Sequence, residues 1–552
     1  MNSTVCRFTM AHKSEEVLLN IFNVGKKRYK VFFHLNIIKW QKLSRHDTFN
    51  EKQNNNDSDK STTVSLCDIL NVTVKEATTR NGLYQIHPTL DIGSPSAIAS
   101  PSTEFKEFTI HYATETRKRD QLKELKYNAI SFCSNDFALV RIWFLTLHDS
   151  LRALRLNRPK NLLLFINPYS GKRNALMVYE KYAKPLFQIA NVNVTCIISQ
   201  KANQISDIII EQDLTRYDGL VIVGGDGTFA EAFNGLIRKY LQYDDFELDD
   251  ESFSQKINIP IGIIGSGSTD CVAYSIYGTS DPTTSVLNII LGSSSGLDLA
   301  SVRNDQNTLL KMYCSVLSYG YLGDIIRKSE NYRKWLGTKR YEFTGFKEFF
   351  KNNGYEVEIS YLVDDHSIDN REGCRSDCER CSKLKSHTDN NESHHEHGTW
   401  KTKTGKFFMI SAANIKCACS KSPNGISPSC HFSDGYIDII CVKHTNLLNN
   451  LKLLLTLTKK DKDISDLGFV EKIRTRKFQF RAIASNEMNF NSDYINSSST
   501  QTIQSSSNYF DQKNGLSSFN CDGEILLDSY VTVTGHRNIL KVFRKTAITP
   551  SI

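Results

Sequence analysis

The chain has 552 residues, of which 40% are hydrophobic and 10% aromatic, so it is long enough for several cores and too long for one ordinary domain. Its net charge of +8, from 68 basic and 60 acidic residues, is too mild to indicate a nucleic-acid-binding protein. Mean hydropathy is −0.37, and no run approaches the roughly 20 apolar residues of a membrane span. The amino terminus also lacks the pattern of a secretory signal. We therefore expect a cytoplasmic protein whose 14 cysteines are thiols or metal ligands.

Residues 1–155 are predicted to form a β-rich domain that ends in one helix. Alternating or apolar runs indicate strands, and Val140, Trp143, Phe144, Leu147 and Leu151 recur at helical spacing. The predicted strands are VLLNIFNV, YKVFFHLNIIKW, SLCDILNVTV and EFTIHYAT. Strands followed by one Trp-containing amphipathic helix resemble a pleckstrin-homology domain. A β-rich extension without a ligand is the alternative.

From Lys160 onward the pattern changes to alternating strands and helices, which is typical of a parallel sheet covered by helices. We expect an α/β nucleotide-binding domain over residues 158–298. The mostly strand-like remainder, 299–552, is expected to form a β-rich, sandwich-like domain that completes a catalytic cleft. The polar, Asn- and Ser-rich stretches 46–62, 363–400 and 491–518 lack the apolar residues to offset the entropy of ordering, so they are predicted to be disordered.

Three turns that suit anions follow three predicted strands. They are Asn167-Pro-Tyr-Ser-Gly-Lys172, Val223-Gly-Gly-Asp-Gly-Thr228 and Ile264-Gly-Ser-Gly-Ser-Thr-Asp270. Glycines allow a sharp turn and a close approach of the backbone to a ligand, and Thr228 is expected to cap the helix that follows. Ligands bind at this edge of open α/β sheets. For any one of these turns, an ordinary connection between strand and helix remains the alternative. The sequence lacks the Walker pattern, so a P-loop protein is not expected.

The stretches NPYSG, GGDGTFAEAFNGL and GSGST, in this order, resemble the catalytic domain shared by diacylglycerol, sphingosine and ceramide kinases. Between about Pro159 and Arg544, further stretches are similar to ceramide kinases in particular. They include LSYGYLGDIIRKSENYRKWLGTKRYEFTG, CRSDCERC, SDGYIDII and NCDGE. The resemblance implies an ATP-dependent lipid kinase that phosphorylates the primary hydroxyl of ceramide and uses Mg²⁺.

The resemblance also implies roles for individual residues. Asp226 would be the catalytic base, and the lipid would meet Asp226, Asp324 and the neighbouring glycines Gly224, Gly225 and Gly227. Ile326 stands where sphingosine kinases carry an acidic residue for a free amine, which suits an uncharged amide. The implied nucleotide contacts are Asn167, Pro168, Tyr169, Ser199, Glu231, Gly267, Ser268, Thr269, Arg333, Arg340, Asp522, Gly523 and Glu524.

A cysteine cluster begins with Cys374, Cys378 and Cys381. Thiolates at this spacing can hold Zn²⁺, and one of the later cysteines, Cys417, Cys419 or Cys430, would complete the shell. Free thiols in an insertion fit the pattern equally well.

The partners expected from the sequence are ceramide and membrane lipids, with peripheral membrane contact through the front domain and no nucleic acid. Residues 447–462, apolar with a basic end, are expected to pack on the β-rich domain, with a membrane surface or calmodulin as alternatives. The rival functions are a sphingosine or diacylglycerol kinase, an NAD kinase, or an inactive lipid-binding adaptor. The presence of Asp226 together with Gly224, Gly225 and Gly227 argues against an inactive adaptor.

Overall fold

The computed structural model describes most of the chain and divides it into two compact units. One unit comprises residues 1–159 and 185–192, and the other comprises 160–184 and 193–552. The described residues are 17–43, 61–76, 105–116, 124–240, 257–364, 374, 378, 381, 398–484 and 516–545. Within these residues, no helix is both long and apolar enough to cross a membrane.

The first unit contains a seven-stranded antiparallel sheet with the strand order β4-β3-β2-β1-β7-β6-β5. Helix α1, Phe137–Leu154, follows the last strand. The strands are β1 Leu18–Val24, β2 Lys27–His34, β3 Ile37–Lys42, β4 Thr62–Ser65, β5 Ile69–Glu76, β6 Phe105–Glu115 and β7 Leu125–Cys133.

One side of helix α1 fills the core of this unit. Its buried residues are Val140, Trp143, Phe144, Leu147 and Leu151, the set that the helical spacing predicted. Trp143 is fully buried and packs edge-on against Phe22, and its indole nitrogen donates a hydrogen bond to Asn20. An antiparallel sheet packed against a Trp-containing helix is the architecture that the sequence indicated.

The second unit begins as an α/β structure. Strands β8 Asn161–Ile166, β9 Asn193–Ile198, β10 Gly219–Gly224 and β11 Pro260–Gly265 are parallel and lie in the order β9-β8-β10-β11. Apolar runs such as LVIV are buried, as expected for parallel strands covered on both faces. The helices in this stretch of the chain are α2 Ala175–Val178, α3 Lys184–Ile189, α4 Gln204–Glu211, α5 Asp226–Tyr240, α6 Cys271–Tyr277 and α7 Pro282–Leu291, with a π-helical turn at Tyr179–Ala183. All residues of α3 except Lys184 belong to the first unit.

The β-rich part continues the same sheet. The last strand, β22 Tyr530–Phe543, pairs in parallel with β11 and antiparallel with β12 and β19, so 15 strands form one connected sheet. The other strands are β12 Ser294–Arg303, β13 Leu309–Tyr313, β14 Val316–Gly320, β15 Tyr355–Val363, β16 Thr399–Ala413, β17 Ile437–Lys443, β18 Val470–Thr475, β19 Lys477–Ala482, β20 Phe519–Cys521 and β21 Glu524–Leu526. The helices are α8 Tyr321–Ser329, α9 Arg333–Leu336, α10 Arg340–Lys351 and α11 Leu447–Leu457.

The predicted fold class is confirmed, and three details differ. The run YKVFFHLNIIKW is a hairpin, because Leu35 and Asn36 both adopt the positive φ of a two-residue turn. Strand β7 was missed because its buried and exposed positions do not alternate cleanly. The run SVLSYGYLGD is a strand only to Gly320, and helix α8 follows. The predicted disordered stretches lie almost wholly outside the described residues.

Candidate active site

The three glycine-containing turns meet at one edge of the sheet. Strands β8, β10 and β11 are neighbours, and each ends where a turn begins. Backbone hydrogen bonds join the turns: the Asn167 amide donates to the Val223 carbonyl at 3.0 Å, and the Ser266 amide donates to the Gly224 carbonyl at 3.0 Å. Residues 100 positions apart in sequence are thereby brought to one place.

Several of the glycines are required because the turns touch one another. A Cβ on Gly171 would lie 2.4 Å from the carbonyl carbon of Gly267, and a Cβ on Gly267 would lie 2.6 Å from Cα of Gly225. A Cβ on Gly225 would in turn lie 3.0 Å from Cα of Gly267. Gly227 differs, because a Cβ there would meet nothing within 4 Å. Gly227 is exposed and faces solvent.

Two side chains of the first turn hold the second turn in place. The Ser170 hydroxyl accepts a hydrogen bond from the Gly225 amide at 2.9 Å. The Asn167 amide group donates to the Thr228 hydroxyl at 3.0 Å. Thr228 is not the cap that the sequence suggested, because helix α5 already starts at Asp226 and Thr228 is its third residue.

Asp226 lies at the start of α5, and its carboxylate binds the first amides of helix α6. The Cys271 amide donates to one oxygen at 3.0 Å and the Val272 amide to the other at 2.8 Å. Asp270, the residue before α6, caps nothing with its own side chain. Asp226 therefore serves as the cap of a helix that begins 45 residues later.

The pKa of Asp226 is raised to about 6. Burial raises this pKa by disfavouring the charged form, the two amide hydrogen bonds oppose the rise, and the carboxylates of Asp270 and Asp522 add to it. At neutral pH the group is ionised, yet it is more basic than an ordinary aspartate. That combination suits a general base.

Asp270 closes the third turn. Its carboxylate accepts a hydrogen bond from the Gly267 amide at 2.7 Å, and its backbone has a φ of 53°. Burial raises its pKa, and Lys172 of the first turn lowers it. Ser268 and Thr269 are exposed at the tip of this turn. The edge thus presents backbone amides, small hydroxyl side chains and a lysine, which are groups that bind phosphate.

Two predicted nucleotide contacts, Ser199 and Glu231, lie beside these turns and have protein partners. Glu231, in the second turn of α5, accepts a hydrogen bond from the Ile205 amide at 2.9 Å and so caps helix α4. Burial raises the pKa of Glu231. Ser199 is buried directly after β9, and its amide binds the Ile166 carbonyl at 2.9 Å.

The carboxyl-terminal Asp-Gly-Glu lies near the same edge. Asp522 accepts hydrogen bonds from the Cys314, Ser315 and Val316 amides at 2.8, 3.0 and 3.1 Å. Its negative charge raises the pKa of Asp226, so the two carboxylates are neighbours. Gly523 and Glu524 are exposed, and Glu524 forms an ion pair with Lys311 at 2.5 Å.

Asp324 is fully engaged with other protein groups. It is buried in α8 and accepts hydrogen bonds from the Tyr355 hydroxyl and the Ser517 hydroxyl, each at 2.6 Å. It also pairs with Lys328 at 2.7 Å. A lipid could reach this carboxylate only by displacing one of these donors.

The two predicted basic residues lie at helix starts. Arg340, at the start of α10, is buried, pairs with Glu330 at 2.8 Å and stacks on the Tyr341 ring. Arg333 begins α9, and its side chain lies outside the described residues.

The three cysteines of the predicted zinc site converge, and their fourth neighbour is His431. Two of the three later cysteines that the sequence suggested for this place, Cys417 and Cys430, bind elsewhere, and Cys419 is not part of the group. The Cys417 thiol donates to the Ser315 carbonyl at 3.3 Å and the Cys430 thiol to the Ala413 carbonyl at 3.6 Å.

The sequence reading missed three positioning groups, namely Ser170, the α6 amides of Cys271 and Val272, and Ser315. Ser170 stood inside a recognised turn and could have been found as a hydroxyl facing the next turn. The amides carry no signal in a sequence, because every residue has one.

Three protein-family models match the chain in order. They are a ceramide kinase PH domain over residues 18–147, a diacylglycerol kinase catalytic domain over 161–302 and a ceramide kinase C-terminal domain over 315–547. The ceramide kinase of Homo sapiens is 35% identical over 461 residues, covering 79% of this chain and 82% of the relative. That of Mus musculus is 35% identical over 460 residues, covering 79% and 83%. A solved diacylglycerol kinase structure from Bacillus anthracis covers 71% of this chain and 99% of its own, with 13% identity and a TM-score of 0.41.

Alanine at Gly267 and at Gly227 should change stability in opposite directions. The new Cβ at Gly267 meets the Gly225 backbone at 2.6 Å, so we expect a loss of about 1–3 kcal/mol, as for other overpacked sites. The Cβ at Gly227 meets open space in the first turn of α5, so we expect a gain of up to about 0.5 kcal/mol. Thermal unfolding of both variants measures this, and equal melting temperatures would show that the turns do not pack as described.

Proposed function

We infer that this chain, which belongs to the ceramide kinase family, transfers the γ-phosphate of ATP to the primary hydroxyl of ceramide and so forms ceramide 1-phosphate. The observation that carries this proposal is the carboxylate of Asp226. It is held by two amides, its pKa is near 6, and it lies beside the open space at Gly227.

On the nucleotide side, the joined turns form a cradle for the phosphates. Amides and hydroxyls of Gly267, Ser268 and Thr269 would bind phosphate oxygens, with Lys172 as the nearest cation of the first turn. Asn167, Pro168 and the exposed Tyr169 would contact the rest of the nucleotide. Glu231 and Ser199 bind protein groups, so they would act on the nucleotide indirectly. Glu231 would hold the start of α4 in place, and Ser199 would hold the end of β9. Arg333, Arg340 and the Asp522–Glu524 turn would border the same cradle.

The residues present fit a Mg²⁺ ion. Asp270 lies in the third turn, close enough to Asp226 to raise the pKa of that carboxylate, and Mg²⁺ prefers one or two carboxylates together with phosphate oxygens. The Asp270 side chain would hold the ion, which when bound offsets the negative charge that develops on the phosphates.

In the reaction, the ceramide hydroxyl oxygen forms a bond to the γ-phosphorus while the bond from that phosphorus to the ADP oxygen breaks. The hydroxyl proton passes to Asp226. The α6 amides keep the carboxylate oriented toward the incoming hydroxyl, and the packed turns keep the phosphate in line. Positioning and charge stabilisation are the main demands of phosphoryl transfer.

The choice of lipid rests on the start of helix α8. Ile326 is half-buried there, which disfavours a lipid with a charged amine and suits the amide of ceramide. Asp324, held by its three donors, would orient this helix rather than bind the lipid directly. Thin-layer analysis with ATP and ceramide, sphingosine and diacylglycerol is the direct test. Phosphorylation of ceramide in preference to the other two is expected, and preference for either rival, or no product, would overturn the proposal.

Membrane contact through the front unit would bring the enzyme to a substrate that resides in bilayers, as a peripheral protein of the cytoplasm. Lys26, Lys27 and Arg28 are exposed at the β1–β2 turn and would face anionic lipid headgroups. A second candidate surface is helix α11, which exposes Leu448, Leu451 and Leu455 and is followed by lysines; it would suit a membrane or calmodulin.

Replacing Asp226 by Asn should lower kcat/KM for ceramide by about 10²–10⁴-fold, because the base is lost. The variant should also lose about 1–3 kcal/mol of stability, because an Asn amide accepts only one of the two α6 amides. Kinetics on dispersed ceramide and thermal unfolding measure the two effects. The matched control is Asp281→Asn, which alters the cap of the next helix, α7, and should remain active. Activity of Asp226→Asn within tenfold of wild type would contradict its role as base.

Neutralising Lys26, Lys27 and Arg28 with Gln should weaken binding to anionic vesicles. Each basic group near such a surface is worth about 1 kcal/mol, so the triple variant should bind roughly 10²-fold less tightly. Activity on short-chain, detergent-dispersed ceramide should be kept. The matched variant carries Gln at Lys459, Lys460 and Lys462, which are exposed after α11. Vesicle sedimentation compares the two, and a larger loss in this second variant would assign membrane binding to α11 instead.

A further inference from the structure

Four metal-binding side chains that the proposed reaction does not use come together in the second unit. They are Cys374, Cys378, Cys381 and His431, and their ligand atoms all lie within 4.8 Å of one another. The Cys374 and Cys381 sulfurs are 3.9 Å apart, and His431 Nδ1 lies 3.2 Å from the Cys378 sulfur and 3.6 Å from the Cys381 sulfur. Among the described residues, this is the one group of three or more such side chains so arranged.

These separations match a tetrahedral zinc site. Zn–S bonds of about 2.3 Å and Zn–N bonds of about 2.0–2.1 Å, at tetrahedral angles, put sulfurs about 3.8 Å apart and sulfur and nitrogen about 3.5 Å apart. A disulfide between Cys374 and Cys381 would instead need its sulfurs at about 2.05 Å. It would also leave the Cys378 thiol and the imidazole unexplained.

The imidazole gives an independent indication. His431 is only 3% exposed, and its Nε2 is buried with no hydrogen-bond partner within the described ranges. Its Nδ1 instead points at two thiols. An imidazole buried so that its Nδ1 faces two thiols is placed to bind a metal through that nitrogen.

We propose that these four residues bind one Zn²⁺ ion in a closed Cys₃His shell. Four protein ligands leave no position for water or substrate, so the site is structural and takes no part in phosphoryl transfer. Binding requires three thiolates, and release of their protons accompanies metal uptake.

The zinc would link Cys374, Cys378 and Cys381 to the loop between β16 and β17 that carries His431. That loop is already anchored, because Asp298 accepts the amides of Asp434 and Gly435 at 2.8 and 2.6 Å. Arg537 of β22 joins the two partners, donating to the Cys381 carbonyl at 2.8 Å and to the Ser433 carbonyl at 3.2 Å. Its positive charge would also balance the net negative charge of three thiolates with one Zn²⁺. The ion, together with Arg537, would thus hold the three cysteines against β22, the strand that joins both halves of the sheet.

The test uses the full-length protein purified without chelator and analysed by inductively coupled plasma mass spectrometry. Wild type should contain about one zinc per chain. Cys378→Ser and His431→Asn should lose most of the metal, and the control Cys196→Ser, at an exposed thiol, should keep it. Metal-free wild type, or a Cys374–Cys381 disulfide in a non-reducing peptide map, would overturn the proposal.

Cobalt replacement tests the geometry of the site in the wild-type protein, so this part of the test does not depend on the folding of a variant. Wild-type protein reconstituted with Co²⁺ should show the intense visible d–d bands of a tetrahedral site and a thiolate charge-transfer band in the near ultraviolet. His431→Asn, which binds the metal more weakly, should show these bands reduced in intensity and shifted. Weak octahedral bands in wild type would contradict the Cys₃His shell, and an unchanged spectrum in His431→Asn would exclude the histidine.

Discussion

The capping of helix α6 by the Asp226 carboxylate is the interaction on which the site depends. A carboxylate at a helix start is stabilised by unpaired amides and by the helix dipole. Here the two amides fix both oxygens and favour the charged form, while burial favours the neutral form, and the balance leaves the pKa at about 6. Because Asp226 begins α5, the same contact ties the second glycine turn to the helix that follows the third.

The surrounding structure holds the Asp226 carboxylate and the α6 amides in place. Gly171, Gly225 and Gly267 let three backbones pack against one another, so none of the turns can move alone. The β-rich half contributes Asp522, whose own carboxylate is held by three amides at the start of β14. Since β22 pairs with β11, this half and the glycine turns belong to one sheet. The site is therefore built by two parts of the chain that a single sheet holds together.

Local patterns predicted much of this, and long-range pairings could not be predicted. The buried runs and glycine turns of the α/β part are local in sequence, so the strands themselves and the common edge of the three turns were predicted, whereas the order of the strands in the sheet was not. The hydrogen-bond partners of the carboxylates could not be predicted in this way, because they are distant in sequence. Asp522, for example, accepts a hydrogen bond from the Ser315 amide, 207 residues away. The Asp-Gly-Glu motif suggested that Asp522 contacts the nucleotide. No neighbouring residue in the sequence indicated that backbone amides already bind its carboxylate. His431, 50 residues beyond Cys381, was likewise passed over for later cysteines. The hairpin at Leu35 was missed because leucine rarely adopts a positive φ.

The dependence of kcat/KM for dispersed ceramide on pH, at saturating Mg·ATP, tests the role of Asp226 most directly. We expect kcat/KM to fall below about pH 6 as one group takes up a proton, with about tenfold loss per pH unit. The raised pKa means that Asp226 contributes stability below its unfolded pKa of about 4 and loses it as the pH rises through 6. Acid inactivation here is therefore not unfolding caused by this group, and melting temperatures over the same range separate the two. A limb near pH 6 in wild type that is absent from the residual activity of Asp226→Asn is the predicted result. A flat profile from pH 5 to 7, or the same limb in both proteins, would contradict it.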